Sequence, residues 1–366
     1  MIQATRRVEA RGEDGASDAQ RSTSSSVAQR LHAETVVVEA HRDCYEQIYW
    51  TNMGEDNPVR DRLAPRLVAG GCDVVVYAIG GDTIAHSDGR DKKLLATIDN
   101  IMALRAAISS MAPPADIVLD EGDLAIAPDG RLRFVLHLEG GSPLEGSVYA
   151  LEALHLLGVR SMQPTWNIRN ELGDGVHERD TGSGLTRFGV AVLRRMVQLG
   201  MLVDLSHISE SGFWHAVRTV DGPLAVTHAN ARALHDHPRN LTDEQIRAVA
   251  DHGGVVGVHT LPTFVGAGAP GVDQLVDHVV HIAELVGVGH VGFGGDFVSC
   301  DGPRPPREAL FHDPRAAPPT LPTLTEIHEL PSLTIALLER GFESGEVAAV
   351  IGGNMTRLLR DVLPHR

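Results

Sequence analysis

The chain has 366 residues, a formal net charge of −16 and 43 % hydrophobic residues, enough apolar material for one large domain or two ordinary ones. The acidic balance argues against nucleic acid as a partner, because phosphates need a basic face, and no run of about 18 apolar residues exists to span a membrane. Cys44, Cys72 and Cys300 are odd in number and widely spaced, which argues against a disulfide framework and fits a reducing cytoplasm.

Residues 1–33 read as a polar, disordered leader, Ser-rich up to about Ser26 and without the apolar core of a signal peptide. From residue 34 to 366 the pattern is that of a single domain. Short apolar, β-branched runs recur at 35–41 (TVVVEAH), 72–80 (CDVVVYAIG), 133–141 (RFVLHLEGG), 159–166 (VRSMQPTW), 201–207 (MLVDLSH), 223–230 (PLAVTHAN), 253–261 (GGVVGVHTL) and 290–297 (HVGFGGDF). Near-continuous apolar strands suit a parallel sheet buried on both faces. Helical stretches lie between them. In the one before the fifth run, Leu185, Phe188, Val192, Met196 and Leu199 fall at helical spacing and Gly200 supplies a stop. Thr242 and Gln245 form a capping-box signature ahead of another. Eight strands alternating with helices predict a (β/α)8 barrel. The Pro-rich segment 301–332 reads as a long loop over the barrel mouth, and the last thirty-odd residues read as closing helices.

In such a barrel, chemistry sits at the C-terminal ends of the strands. Here the first run ends in His41 and Asp43, and the third in Glu139. The fifth ends in His207, the sixth in His228 and the eighth in Asp296. Singly, each has a plainer reading: a core histidine, a cap, a turn aspartate. Jointly they bring imidazoles and carboxylates to one rim, a donor set suited to a divalent metal such as zinc. Five ligands with one shared carboxylate suit two metals. Barrel metallohydrolases often bridge two metals with a carbamylated strand lysine, but the only lysines are the adjacent Lys92 and Lys93, beside the helix after the second run. The bridge therefore falls to a carboxylate, Glu139.

With these residues in view, the chain resembles the membrane (renal) dipeptidase family of dinuclear zinc peptidases, amidohydrolase-like barrels of peptidase family M19. The resemblance covers about residues 34–362. It is carried by AHRD, LEGG, LGVRS, GLTRFG, RMVQLGMLVDLSHIS, THANARALHDHPRN, GGVVGV and HVGFGGDF, with LTIALLERGF and IGGNMTRLL near the end. The block from Gly184 to Asn240 is the most specific part. The resemblance implies that His41, Asp43 and Glu139 bind one Zn2+, and that His207 and His228 bind a second, with Glu139 bridging. It implies that Arg239 grips the substrate carboxylate, a bidentate task suited to a guanidinium. It also implies that Asp296 carries a proton from a bridging hydroxide's parent water to the leaving amine. The implied substrates are dipeptides, including those with a D-residue at the C-terminal position. The implied assembly is a homodimer.

Some positions depart from the family. Mammalian-type enzymes carry a histidine at the end of strand four for the reacting carbonyl, whereas this chain has Trp166. An indole offers one N–H and no charge. His259, at the end of the seventh run, is a candidate substitute. Arg42 stands where Asn is common, and Glu39 where Asp is common. The chain shows neither a signal peptide nor an apolar tail, so a cytoplasmic location is expected. The altered strand four keeps other readings open: a metal-dependent amidohydrolase acting on a lactam, an N-acyl amino acid or a secondary-metabolism intermediate, a lyase, or a binding protein.

Overall fold

Every one of the eight apolar runs contributes a strand to one parallel sheet. In chain order the strands are β1 (Val38–Asp43), β2 (Val74–Gly81), a two-residue β3 (Asp116–Ile117), β4 (Arg133–Glu139), β5 (Val159–Gln163), β6 (Leu202–Asp204), β7 (Leu224–Val226), β8 (Val255–Val258) and β9 (Val291–Phe293). The hydrogen-bonded order is β1-β2-β4-β5-β6-β7-β8-β9, with the extra β3 beside β4. This computed structural model describes residues 18–83, 92–111, 114–125, 130–297 and 321–365. The leader before residue 18, Cys300 and the loop segment 301–320 lie outside them. The architecture is the expected (β/α)8 barrel. Its two end strands meet at a seam, where the Gly295 N–H donates to Glu39 Oε1 at 2.7 Å.

Two apolar clusters build the barrel. The outer one packs helices onto strands through residues such as Val75, Tyr77, Phe134, Met196 and Phe293. The inner one fills the N-terminal half of the bore. Val38, Val74, Val76, Val135, Leu202, Ala225 and Val255 meet Met355, Leu358 and Leu359 from the last helix, Asn354–Val362, and Leu363 just after it. That helix closes the barrel floor. Its approach to β1 requires Gly352, where a Cβ would fall 2.0 Å from the Val36 carbonyl oxygen. With the floor apolar, polar side chains collect at the opposite end.

The helix signals hold with one shift, since Leu185 lies before the cap and bridges Gly173 instead. The helix Arg187–Leu199 is capped by Thr186 and stopped at Gly200 with φ 66°. The capping box at Thr242 and Gln245 opens the helix Asp243–Asp251. The polar leader is corrected in part, because Asp18–Glu34 form a helix. Its buried face is small: Ser24, Ala28 and Leu31. His32 fixes it, with Nδ1 2.8 Å from the Gly70 carbonyl and Nε2 2.8 Å from Thr334 Oγ1. Burial lowers the pKa of His32, so it sits there neutral. The serine-rich composition hides this helix, whose docking rests on tertiary contacts and not on an apolar stripe.

Beyond the undescribed loop, the chain returns to β1. Arg42 Nη2 donates to Glu326 Oε2 at 3.0 Å and Nη1 to Oε1, a bidentate pair buried on the outer side of the barrel. Replacing Leu359 with Ala in the floor cluster should cost about 2–5 kcal/mol of stability. Denaturant titration checks this, and a loss below about 1 kcal/mol would mean that the floor repacks.

Candidate metal centre

The bore changes character one layer above the floor. Asp204 is fully buried there and meets five donors. Its Oδ1 accepts the Ser206 N–H (3.0 Å), the Ser206 hydroxyl (2.8 Å) and the Thr227 N–H (3.0 Å). Its Oδ2 accepts the Thr227 hydroxyl (2.5 Å) and Gln163 Nε2 (3.2 Å). His137 lies alongside with Nδ1 2.9 Å from Ser161 Oγ, and burial pulls its pKa down to about 3.

On this layer rest the side chains singled out at the strand ends. His41 Nε2 stands 3.5 Å from Asp43 Oδ1, 3.4 Å from Glu139 Oε1 and 3.8 Å from Asp296 Oδ1. His207 Nε2 stands 3.4 Å from the same Glu139 oxygen and 2.7 Å from His228 Nε2. Two donor groups of metal-binding size result, Glu139–His207–His228 and His41–Asp43–Asp296, and a third combines His41 and His228 with Asp204. His207 and Asp296 both have left-handed backbones, φ 65° and 49°. That conformation is uncommon outside glycine and persists where surrounding contacts enforce it.

The imidazoles are oriented from behind. Thr227 gives its hydroxyl proton to Asp204, so its oxygen accepts from His228 Nδ1 at 2.9 Å. Asn167 Oδ1 accepts from His207 Nδ1 at 2.7 Å. Both rings therefore turn an Nε2 lone pair inward, the tautomer a metal ligand needs. Among the described residues, both nitrogens of His41 and Oδ1 of Asp43 are buried without a hydrogen bond.

The electrostatics also call for a cation. Burial and the charges of Asp43 and Asp296 push the Glu139 carboxyl well above its usual range. Burial, with Asp43 again, pushes Asp296 up to about 6. Burial alone would lower His41, but the Asp43 and Glu139 carboxylates outweigh it and raise that ring well above the usual histidine value. Burial, then neighbouring cationic groups, hold His207 and His228 well below it. Crowded carboxylates that cannot all ionise, beside neutral imidazoles, are what a divalent ion relieves.

The remaining candidates gather around this centre. Arg239 is buried, with Nη2 2.9 Å from His207 Nε2 and its guanidinium 5.5 Å from the Phe264 ring centre. Burial brings its pKa to about 10. Trp166 stacks on His207 at 5.8 Å and 27°, and its backbone N–H donates to Asp82 Oδ2 at 2.9 Å. His259 Nε2 lies 3.4 Å from Asp296 Oδ2. Glu39, which stands where Asp is common, reaches two backbone N–H groups. Its closer contact is Gly295 at 2.7 Å, against 3.4 Å for the His41 N–H, and burial pushes it up to about 8. Asn167, Asp204, Thr227 and Asp82 were not singled out in the sequence. Asp204 and Thr227 carried a signal, since each lies on the same short run as a candidate histidine.

Fold and donor set together define a barrel metallohydrolase. A family model described as membrane dipeptidase (peptidase family M19) matches residues 25–364, and the chain belongs to that family of metallo-dipeptidases. It is 33 % identical over 295 residues to an uncharacterised protein in the pqqA 5′ region of Klebsiella pneumoniae, covering 78 % of this chain and 94 % of that one. It is 30 % identical over 253 residues to the dipeptidase aclJ of Aspergillus oryzae, covering 68 % of this chain and 56 % of that one. Among solved structures, an amidohydrolase from Pseudomonas aeruginosa aligns with TM-score 0.77 at 25 % identity, over 92 % of this chain and 98 % of that one. A metallopeptidase from Rhodobacter sphaeroides, liganded with a phosphinate mimic of the dipeptide L-Ala-D-Ala, aligns with TM-score 0.75 at 23 % identity, over 90 % and 100 %. Among the described residues, no helix is long and apolar enough to cross a membrane.

Asn167→Ala removes the acceptor that orients His207, and should weaken metal retention about 10- to 100-fold. Competition with a chelator measures this, and unchanged retention in a folded variant would remove Asn167 from the site.

Proposed function

We propose that the chain hydrolyses the peptide bond of dipeptides at a dinuclear centre. In this reading His41, Asp43 and Glu139 hold one divalent ion, and Glu139, His207 and His228 hold a second. Zinc is the first candidate, since it takes imidazole and carboxylate ligands. The observation that carries the reading is the Glu139 oxygen standing 3.4 Å from His41 Nε2 on one side and 3.4 Å from His207 Nε2 on the other. Divalent ions held there supply Lewis acidity and make water a nucleophile near neutral pH.

The protein groups do the rest. Asp296 takes the proton of the attacking water and passes it to the amine nitrogen as the C–N bond breaks. Its position, with Oδ1 3.8 Å from His41 Nε2 and Oδ2 3.4 Å from His259 Nε2, puts this carboxylate beside the centre where that proton moves. Arg239 binds the free carboxylate of the C-terminal residue. It is a buried guanidinium whose Nε lacks a hydrogen bond among the described residues, so a substrate carboxylate gives it the partner it lacks. Trp166 covers the outer face of His207 and walls the substrate space in place of the family's histidine. Acceptance of a D-residue at the C-terminal position is supported by the relative liganded with the L-Ala-D-Ala mimic. The Trp166 wall favours one second reading, hydrolysis of a lactam or N-acyl amino acid whose carboxylate still meets Arg239.

Metal content of the purified protein, paired with amine release from a dipeptide panel that includes Xaa–D-Xaa, tests the proposal. About two ions per chain with turnover is the expected result. Two ions with activity only on a lactam or N-acyl amino acid would select the second reading. Failure to retain metal after reconstitution with zinc or manganese would sink the dinuclear centre. Arg239→Ala should cut kcat/KM for free-carboxylate dipeptides by roughly 100-fold, the cost of removing one partner of a buried charge pair. Dipeptide amides, which lack that charge, should lose far less, and equal losses on both would refute the assignment.

A further inference from the structure

His259 follows β8 and is completely buried. Its backbone is pinned on both sides by Asn230, whose Oδ1 accepts the His259 N–H at 3.0 Å and whose Nδ2 donates to the His259 carbonyl at 2.9 Å. Its ring is held between Phe264, 4.9 Å away, and the edge of His228, 5.4 Å away. Nδ1 accepts the Leu261 N–H at 3.4 Å. A neutral imidazole that accepts at Nδ1 carries its proton on Nε2. Among the described residues Nε2 has no hydrogen bond, and it faces Asp296 Oδ2 at 3.4 Å.

Asp296 is constrained from the other direction as well. It sits on a left-handed turn after β9, directly after Gly295. The Gly295 N–H is taken by Glu39, and its carbonyl by the hydroxyl of Thr260, His259's neighbour, at 2.5 Å. The two carboxylate oxygens are thereby distinguished: Oδ2 faces His259, and Oδ1 faces His41 at 3.8 Å.

We propose that His259 is a positioning residue for Asp296. The His259 Nε2–H donates to Oδ2 and leaves Oδ1 as the oxygen that exchanges the proton. This rests on the function proposed above. In that cycle a proton leaves water for Asp296 Oδ1 and then passes to the amine nitrogen as the C–N bond breaks, while His259 gives up no proton. One N–H serves one strong acceptor, so His259 is not in this account the donor to the substrate carbonyl.

The experiment compares His259→Ala, His259→Gln, Asp296→Asn and the double variants. His259→Ala should lower kcat about 10- to 100-fold with KM within about twofold, the scale of a misaligned catalytic group. Glutamine, whose amide N–H can reach the same oxygen, should recover part of the loss. In the Asp296→Asn background, His259→Ala should cost nothing further. Metal content and affinity for a phosphinate dipeptide mimic should match the wild type. Additive losses, or phosphinate affinity falling in step with kcat, would overturn the proposal in favour of direct contact with substrate oxygen. Loss of metal would overturn it in favour of a structural role. A readout independent of turnover is the NMR signal of the His259 Nε2–H in protein labelled with 15N-histidine, identified by its absence from His259→Gln. It should shift in Asp296→Asn, and no shift would refute the contact. A wild type inert on every dipeptide, with that shift present, would overturn the proposed function and leave the contact standing.

Discussion

Glu139 is the group on which the site depends. Its carboxylate ends β4 and presents one oxygen to imidazoles on β1 and just after β6. Without a cation that oxygen is in an unfavourable place, buried and facing the carboxylates of Asp43 and Asp296. The barrel tolerates the arrangement because eight strand ends fix the backbone around it. The same burial that raises the carboxyl of Glu139 keeps His207 and His228 neutral. One desolvated cavity therefore sets the charge of both kinds of candidate ligand, and a divalent ion bound there would offset the cost of burying them.

Beneath the ligands, Asp204 has the opposite character. It is as deeply buried as Glu139, yet every donor it needs is present, from Gln163, Ser206 and Thr227. A satisfied buried carboxylate is rigid, and through Thr227 it sets the tautomer of His228. The bore is therefore graded along its axis. An apolar floor is closed by the last helix, a saturated polar layer lies above it, and an unsaturated layer follows where chemistry can occur. The order follows from chain chemistry, since an unsatisfied polar group above a dry floor would have no support to hold its orientation.

Much of this was legible in the chain. Runs such as DVVVYAIG and RFVLHLEGG are apolar over several consecutive residues and end in glycine, so composition alone marked their strands. The histidines and carboxylates at their ends stood out because such groups are costly to bury. The supporting residues were not legible. Asn167 is an ordinary loop amide until the fold brings it 2.7 Å from His207, forty positions away. Asp82 looks like a turn aspartate but accepts from Ser142, Trp166 and Asn170, tying together three loops. The helix Asp18–Glu34 is hidden because Ala28 and Leu31 anchor a stretch that is otherwise mostly polar and charged. In each case the decisive contact spans a long sequence separation that no local pattern encodes.

The seam between the first and last strands bears on how the molecule is made. Glu39 meets Gly295 across 256 positions and Arg42 meets Glu326 across 284. During synthesis, β1 therefore emerges early and waits with an unsealed edge until most of the chain has been translated. Closures this distant in sequence form late and slowly, and an open edge invites pairing with other chains. The strand that carries His41 and Asp43 is also the one whose edge is exposed longest, so interrupted synthesis would yield chains with these two side chains on an unpaired, aggregation-prone edge.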